Sequence, residues 1–352
     1  EYVQGGTTGT VRAQDFHVLP LPGGPAADPS KAAPLFRREF DLAAAPGSAC
    51  ITVHSLNYFE VYVNGAKVGR DVLTPAVSNP EHQSFSVTYD VGRYLRAGRN
   101  CMGLWVGEGW ADGIAVRAQL DAEVAGRPGA IGTDASWETR TSGLYRIGGR
   151  KWNNFGGERV DAREFTPDWS MTGLDTASWT PAVPAKDPAA PVRSQPCPLN
   201  RIGRVIPAVA VTALDGGRYE VDFGTALTGW LRLKMPALQP GALVKMTFAD
   251  ARRGDDYQHF NQVSEFISAG KAGEVFENRF NYAGFRYVVV EGLPSAPATK
   301  DAEAMLIESD LEEAGAFECS NDLFNRIHRV NQWTQRCLRS EEHTSELQSR
   351  QS

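Results

Sequence analysis

The sequence predicts an all-β protein, two tandem β-sandwich domains followed by a short C-terminal α-helix. Three observations carry that reading. Tyr58–Val68 sets Tyr58, Phe59, Val61, Tyr62 and Val63 before Asn64-Gly65, with Lys67 and Val68 after it. Asn-Gly between β-rich runs marks a hairpin, because a type I′ turn needs positive φ at both central residues. In the second stretch, Val275–Phe280 alternates Phe276 and Phe280 with Glu277 and Arg279, and Phe285–Glu291 is dense in aromatic and β-branched residues. Such runs suit half-buried strands, and Asn281–Gly284 is the break between them. Third, the period changes after Gly315: Leu323, Ile327, Val330 and Cys337 recur at helical spacing.

Length and composition bound the rest. A chain of 352 residues fits two or three domains. A formal charge of −6, spread along the chain, carries no nucleic-acid signature. No apolar run reaches bilayer length, so no membrane partner is expected. There is neither a signal peptide nor an initiator Met at Glu1, which says nothing of compartment. A periplasmic or secreted location is favoured over others, and oligomeric state stays open. The cysteines, Cys50, Cys101, Cys197, Cys319 and Cys337, form no CxxC pair and read as small buried hydrophobes. Cys50 and Cys101 both sit in strand-like contexts, which leaves a disulfide between them undecided. The histidines lack zinc-site spacing.

In chain order, residues 1–34 form a Gly-, Pro- and Ala-rich lead-in with one short strand candidate, Phe16–Leu19. The first domain spans 35–185. It opens on the alternating Leu35–Phe40 and includes the hairpin, Phe85–Val91, Asn100–Val106 and Ile114–Val124. Residues 186–200 are a linker in the Pro- and Ala-rich run Pro181–Pro198. The second β-domain spans 201–312, with strands at Tyr219–Phe223, Gly229–Leu233, Gly241–Ala249 and the Glu274–Leu293 region. Residues 313–338 carry the helix, with Ser320 as the expected N-cap. Residues 339–352 read as a tail foreign to the rest.

Several of these runs resemble one family. Phe280–Gly292 resembles a paired-strand motif of bacterial α-L-rhamnosidases, glycoside hydrolase family 78. Tyr58, Glu60, Tyr62, Asn64, Gly65, Val68 and Gly69 resemble the family's first hairpin. Tyr89, Asp90, Val91, Leu95, Gly98 and Asn100, then Gly107, Gly109 and Trp110, follow in the family's order. Gly157-Glu158-Arg159-Val160-Asp161-Ala162-Arg163 is similar to a further motif, with Val160 where the family usually has Tyr. Asp134–Trp137 resembles a strand start of the family, and Trp169, Asp175 and Trp179 resemble the close of the first domain. Gly224–Thr228 resembles a segment of the second, with Thr225 and Ala226 in place of a polar pair. Phe317, Cys319, Ser320, Asn325, Ile327, Trp333 and Arg336 resemble the entry to the family's helical barrel.

The resemblance implies jelly-roll or concanavalin-like sandwiches, with the helix beginning an (α/α)₆ barrel. It implies inverting hydrolysis of terminal α-L-rhamnose without a cofactor, on a rhamnose-containing carbohydrate. Its two catalytic carboxylates would lie on barrel helices beyond Leu338, so no catalytic residue is assigned in this chain. Arg339–Ser349 resembles the in-frame translation of a sequencing adapter, and the native sequence is expected to diverge there. The alternative function is a stand-alone carbohydrate-binding β-sandwich protein; a structural or adhesion protein is a third reading.

Sugars bind by stacking on aromatic rings while carboxylates and amides fix their hydroxyls. Glu108, Trp110 and Asp112 share the loop 107–113 at a strand end, and Asn57 and Tyr58 are placed to face the same end. These five residues are the sugar-binding candidates. The other reading, which the residues favour, is Trp110 as a plug of the sandwich end and Asn57 and Tyr58 as turn and core. Calcium serves some related rhamnose-binding modules, but no loop here has EF-hand-like spacing, and no metal ligand is assigned. Asp255, Asp256, Tyr257 and His259 form a second polar cluster, read as a solvated loop or the rim of a cleft.

Overall fold

A computed structural model describes residues 8–14, 18–22, 28–109, 111, 113–149 and 153–338. Trp110, Asp112, Phe16 and the 339–352 tail lie outside the described residues. Two sandwiches are present, and one sheet runs through both. A five-stranded sheet, in the order Val192–Ser194, Ser84–Asp90, Ser48–His54, Arg117–Val124 and Arg127–Gly132, forms one layer of the first sandwich. Ala32–Leu42, Gly98–Gly107, Tyr58–Val63 and Glu138–Ile147 of a 15-stranded sheet form the other. Phe36, Ile51, Val53, Phe59, Val61, Leu104, Leu120 and Trp137 fill the space between.

The hairpin is as expected. Asn64 (φ 50°) and Gly65 (φ 84°) occupy the turn, and Val63 pairs with Ala66. Asn64 Oδ1 accepts the Cys101 N–H at 2.8 Å, and its Nδ2 donates to Asn100 Oδ1 at 2.8 Å. Asn100, fully buried, donates in turn to the carbonyls of Arg96 and Gly98. The hairpin Asn and the later Gly-x-Asn therefore lock each other.

The large sheet crosses into the second sandwich through Gly157–Asp161, which pairs in parallel with Val263–Ile267. A Cβ on Gly157 would lie 1.8 Å from the Val263 carbonyl oxygen, so only glycine permits this approach. Beyond it lie Leu243–Ala249, Ala283–Glu291, Arg218–Lys234, Ala302–Ser309 and Asn200–Pro207. Arg218–Lys234 shifts register between Asp222 and Leu227. Its first half pairs with Ala210–Leu214, and its second with Val275–Glu277 and Ala302–Ser309. The second core thus closes around Phe223, Trp230, Phe248, Phe266, Phe276 and Phe285, with Phe280 and Tyr287 also buried.

Several local expectations change. The lead-in is woven into the fold: Val11–Arg12 pairs with Val183–Pro184, and Val11 is buried in the first core. The linker contributes an edge strand, Val192–Ser194, parallel to Ser84–Asp90. Cys50 and Cys101 are free and belong to opposite sheets, so they form no disulfide. The helix runs Asp322–Leu338, and Asn321, not Ser320, caps it: Asn321 Oδ1 accepts the Leu323 N–H at 2.9 Å. The helix rests on the second sandwich through Cys337 and Trp333, whose Nε1 donates to the Ala226 carbonyl at 2.7 Å. Of the expected face Cys337 is buried, while Leu323, Ile327 and Val330 are exposed, as is the neighbouring Phe324.

Candidate carbohydrate-binding site

Strand Tyr58–Val63 is buried on both faces. Phe59, Val61 and Val63 enter the first core, while Tyr58, Glu60 and Tyr62 turn toward the second sandwich or the strap 165–180. Tyr58 is 2% exposed and joins the second core. Most of its side chain is packing surface. Tyr62 meets Trp169 edge-on at 5.1 Å.

Asn57 is 1% exposed and ties the candidate loop from within. Its Oδ1 accepts the Gly109 N–H at 2.7 Å, and its Nδ2 donates to the Gly113 carbonyl at 2.6 Å. One amide thus spans both ends of the loop that contains Trp110 and Asp112. Asn57 sets the loop's shape and is a positioning residue. Its own N–H is accepted by Ser55 Oγ at 3.0 Å, and that hydroxyl donates to the Ala115 carbonyl at 2.8 Å.

Glu108 turns away from this arrangement. Its carboxylate pairs with Arg146 at 2.6 Å, both side chains being 15% exposed. Glu108 and Arg146 line a small crevice at the junction of the sandwiches, with Glu158, Phe280 and Asn281. Asn57 and Tyr58 instead border a separate cleft of about 40 Å³ between segments 55–58, 75–80 and 109–111. The candidate residues described therefore divide between two sides of the loop. The 75–80 segment was not singled out in the sequence; Pro75 and Pro80 bracketing a short turn are the signal that marks it.

The most heavily bonded charges lie at the joint. Glu158 accepts the backbone N–H groups of Arg279 (2.9 Å), Phe280 (2.6 Å) and Asn281 (2.9 Å), and the Asn278 amide at 3.2 Å. Burial raises its pKa despite these donors. Glu60 meets Arg279 at 2.9 Å and Lys67 at 2.7 Å. Burial opposes its charge, yet the two cations hold its carboxyl below the usual range. The Arg279 guanidinium lies 4.7 Å from the Trp105 ring centre. Phe280 packs on Gly107, where a Cβ would sit 1.9 Å from the ring.

In the second polar cluster, Tyr257 donates to Glu220 at 2.6 Å, and His259 Nδ1 accepts the Asn261 N–H. Asp255 and Asp256 are exposed in that hairpin. Among the described residues, no group of three or more His, Cys, Asp or Glu side chains is placed to hold a metal ion.

Fold and site together define a double β-sandwich protein with a small loop-lined cleft at one end of the first sandwich. The profile described as the α-L-rhamnosidase N-terminal domain matches residues 44–204, and that of the bacterial α-L-rhamnosidase concanavalin-like domain matches 212–308. An α-L-rhamnosidase of Formosa agariphila is 29% identical over 329 residues, 86% of this chain and 34% of that protein. The solved α-L-rhamnosidase of Dictyoglumus thermophilum superposes with a TM-score of 0.83 at 26% identity, covering 94% of this chain and 39% of that one. The Streptomyces avermitilis α-L-rhamnosidase complexed with L-rhamnose gives 0.80 at 26% identity, with 88% and 32% covered. The chain belongs to the bacterial α-L-rhamnosidase family, and it spans about a third of the length of the curated relatives it matches.

Proposed function

We propose that this chain is the non-catalytic β-portion of an α-L-rhamnosidase that hydrolyses terminal α-L-rhamnose with inversion. In this reading it holds rhamnose-containing carbohydrate at the 107–113 loop and supports a helical catalytic domain. The observation that carries the reading is the helix Asp322–Leu338. Trp333 and Cys337 anchor it to the second sandwich, while Leu323, Phe324, Ile327 and Val330 present an apolar stripe to solvent. A stripe of that kind needs further helices to cover it, and the relatives are about three times as long as this chain.

The carboxylates agree with a non-catalytic role. Glycoside hydrolysis takes two carboxyl groups facing one bond across a cleft. Here the buried acids are engaged elsewhere: Glu60 with Arg279 and Lys67, Glu158 with backbone N–H groups, and Glu164 with Tyr145 and the Leu19 N–H. Asp71 is held by Thr74 and Tyr89, and Asp161 by Arg163.

The purified chain is therefore expected to leave an aryl α-L-rhamnoside intact while binding L-rhamnose weakly. One stacked ring and a few exchanged hydrogen bonds correspond to Kd values from roughly millimolar to tens of micromolar. Trp110→Ala should abolish L-rhamnose-induced NMR shifts without unfolding the protein. Rhamnoside turnover that is lost on mutating a residue of this chain would overturn the non-catalytic assignment. An absent L-rhamnose response would overturn the binding assignment.

A further inference from the structure

We infer that residues 185–195 form an acid-sensitive clasp: His54, buried beside them, takes a proton on acidification and loosens their hold on the five-stranded sheet. The inference is independent of the carbohydrate reading above. Ile51 and Val53 enter the first core, so His54, one residue on, faces the other side of the sheet. That side is open elsewhere, yet His54 is 6% exposed. The run 185–195 lies along this end of the sheet. The Ala185 N–H donates to the Thr10 carbonyl at 2.8 Å, and the Gln195 N–H to the Ser86 carbonyl at 3.0 Å. Between them, Val192–Ser194 pairs in parallel with Ser84–Ser86.

One serine joins the histidine to the clasp. His54 Nε2 lies 2.9 Å from the Ser84 hydroxyl, and Ser84 is 1% exposed. The Ser84 N–H donates to the Pro191 carbonyl at 3.0 Å, and Ser84 stands opposite Val192. A neutral ring can accept from that hydroxyl or donate to it. With both ring nitrogens protonated, Nε2 only donates. The hydroxyl hydrogen must then find another acceptor within a buried site, which costs free energy.

The charges around the ring work in the same direction. His54 is opposite Arg117 on one neighbouring strand and Ser86 on the other. The charged groups that act on it are Arg117 and, from the clasp, Asp187. Asp187 favours the imidazolium, but it already accepts the Thr10 hydroxyl at 2.5 Å and stands 4.0 Å from Arg117. Burial first, then the Arg117 charge, hold the ring's pKa below the usual histidine value. The clasp is therefore firmest above about pH 6.5 and weakens as pH falls below it, because the opened form takes the proton more readily.

The test is hydrogen–deuterium exchange of the full chain at about pH 7.5 and about pH 5.5, corrected for the intrinsic pH dependence of amide exchange. One pH unit below the unperturbed value, this linkage shifts opening by at most about tenfold. Exchange at 185–195 should rise by about three- to tenfold, while Leu243–Ala249 in the second sandwich stays unchanged. His54→Gln keeps an amide for Ser84, does not titrate and should abolish the rise. Arg117→Gln, at a half-exposed position, removes the repelling charge and should shrink it. By NMR, the wild-type His54 ring should titrate with a midpoint below about 6.5. A wild-type rise of less than about twofold, an equal rise in folded His54→Gln, or a His54 midpoint at or above about 6.5 would overturn the inference. Should His54→Gln fail to fold, the wild-type exchange and Arg117→Gln decide: an undiminished rise in Arg117→Gln overturns it.

Discussion

Glu158→Ala tests the joint between the sandwiches most directly. Glu158 belongs to the first sandwich, yet its carboxylate takes the N–H groups of Arg279, Phe280 and Asn281 in the second. Each buried donor left without an acceptor costs about 1–3 kcal/mol. Phe280 is buried, whereas Arg279 and Asn281 are partly open to water, so the full cost applies to one donor and a part to the other two. Removing the carboxylate also relieves its own burial, which already pushes its pKa up. The net loss comes to about 3 kcal/mol. At roughly 2 °C per kcal/mol for a unit of this size, the midpoint should fall by about 6 °C. Calorimetry should show one transition for the wild type, because one sheet runs through both sandwiches and Tyr58 and Leu144 of the first pack into the second core. The variant should broaden or split it. A loss within about 0.5 kcal/mol, with an unsplit transition, would refute the assignment of Glu158 as the tie.

The two buried glutamates should act oppositely with pH. Glu60 has its pKa lowered, so its contribution is present above about 4.5 and is lost as pH falls through the folded value. Glu158 has its pKa raised, so its contribution weakens as pH rises above about 4.5. Urea midpoints measured down to about pH 4 should therefore fall less steeply in Glu60→Gln and more steeply in Glu158→Gln than in the wild type. Arg279→Ala leaves Glu60 buried with Lys67 alone and should cost about 3–5 kcal/mol in urea unfolding. Gly107→Ala drives a methyl into the Phe280 ring and should cost about 1–3 kcal/mol by the same measurement. Asn57→Ala should weaken L-rhamnose binding in the NMR titration, because its amide joins Gly109 to Gly113 across the loop.

Local chemistry made the strands legible. Positive φ at Asn64 and Gly65, burial of Phe276, Phe280 and Phe285, and a helix after Asn321 all follow from neighbours in the chain. The shared sheet was not legible, because nine other strands and the linker separate Gly157–Asp161 from Val263–Ile267 in the chain. Its trace in the sequence is Gly157, the residue without a Cβ where two backbones meet. The helix misled for a related reason. Its apolar spacing marked one face, but this chain covers only the C-terminal end of it, at Cys337 with Trp333 beside it, and leaves Leu323, Ile327 and Val330 open.

The family-like motifs are best understood as one assembly. Glu60 and Tyr62 of the first hairpin, Gly107 of the following strand, Gly157 and Glu158, and Arg279 and Phe280 are distant in sequence and converge on the joint. A glutamate in an aromatic strand reads equally well as a ligand for sugar hydroxyls or as a partner for a buried arginine. Sequence spacing does not separate those readings, because the arginine arrives from 219 residues away. Glu108 shows the same ambiguity, since Arg146 claims it from Glu138–Ile147, two strands away in the sheet. Asn57 is committed in the same way, since its amide joins Gly109 to Gly113. A rigid joint and a braced loop make the orientation of any sugar held there fixed relative to the helix Asp322–Leu338. That fixed orientation is what an accessory sandwich must supply if a substrate is to be presented to a domain packed against that helix.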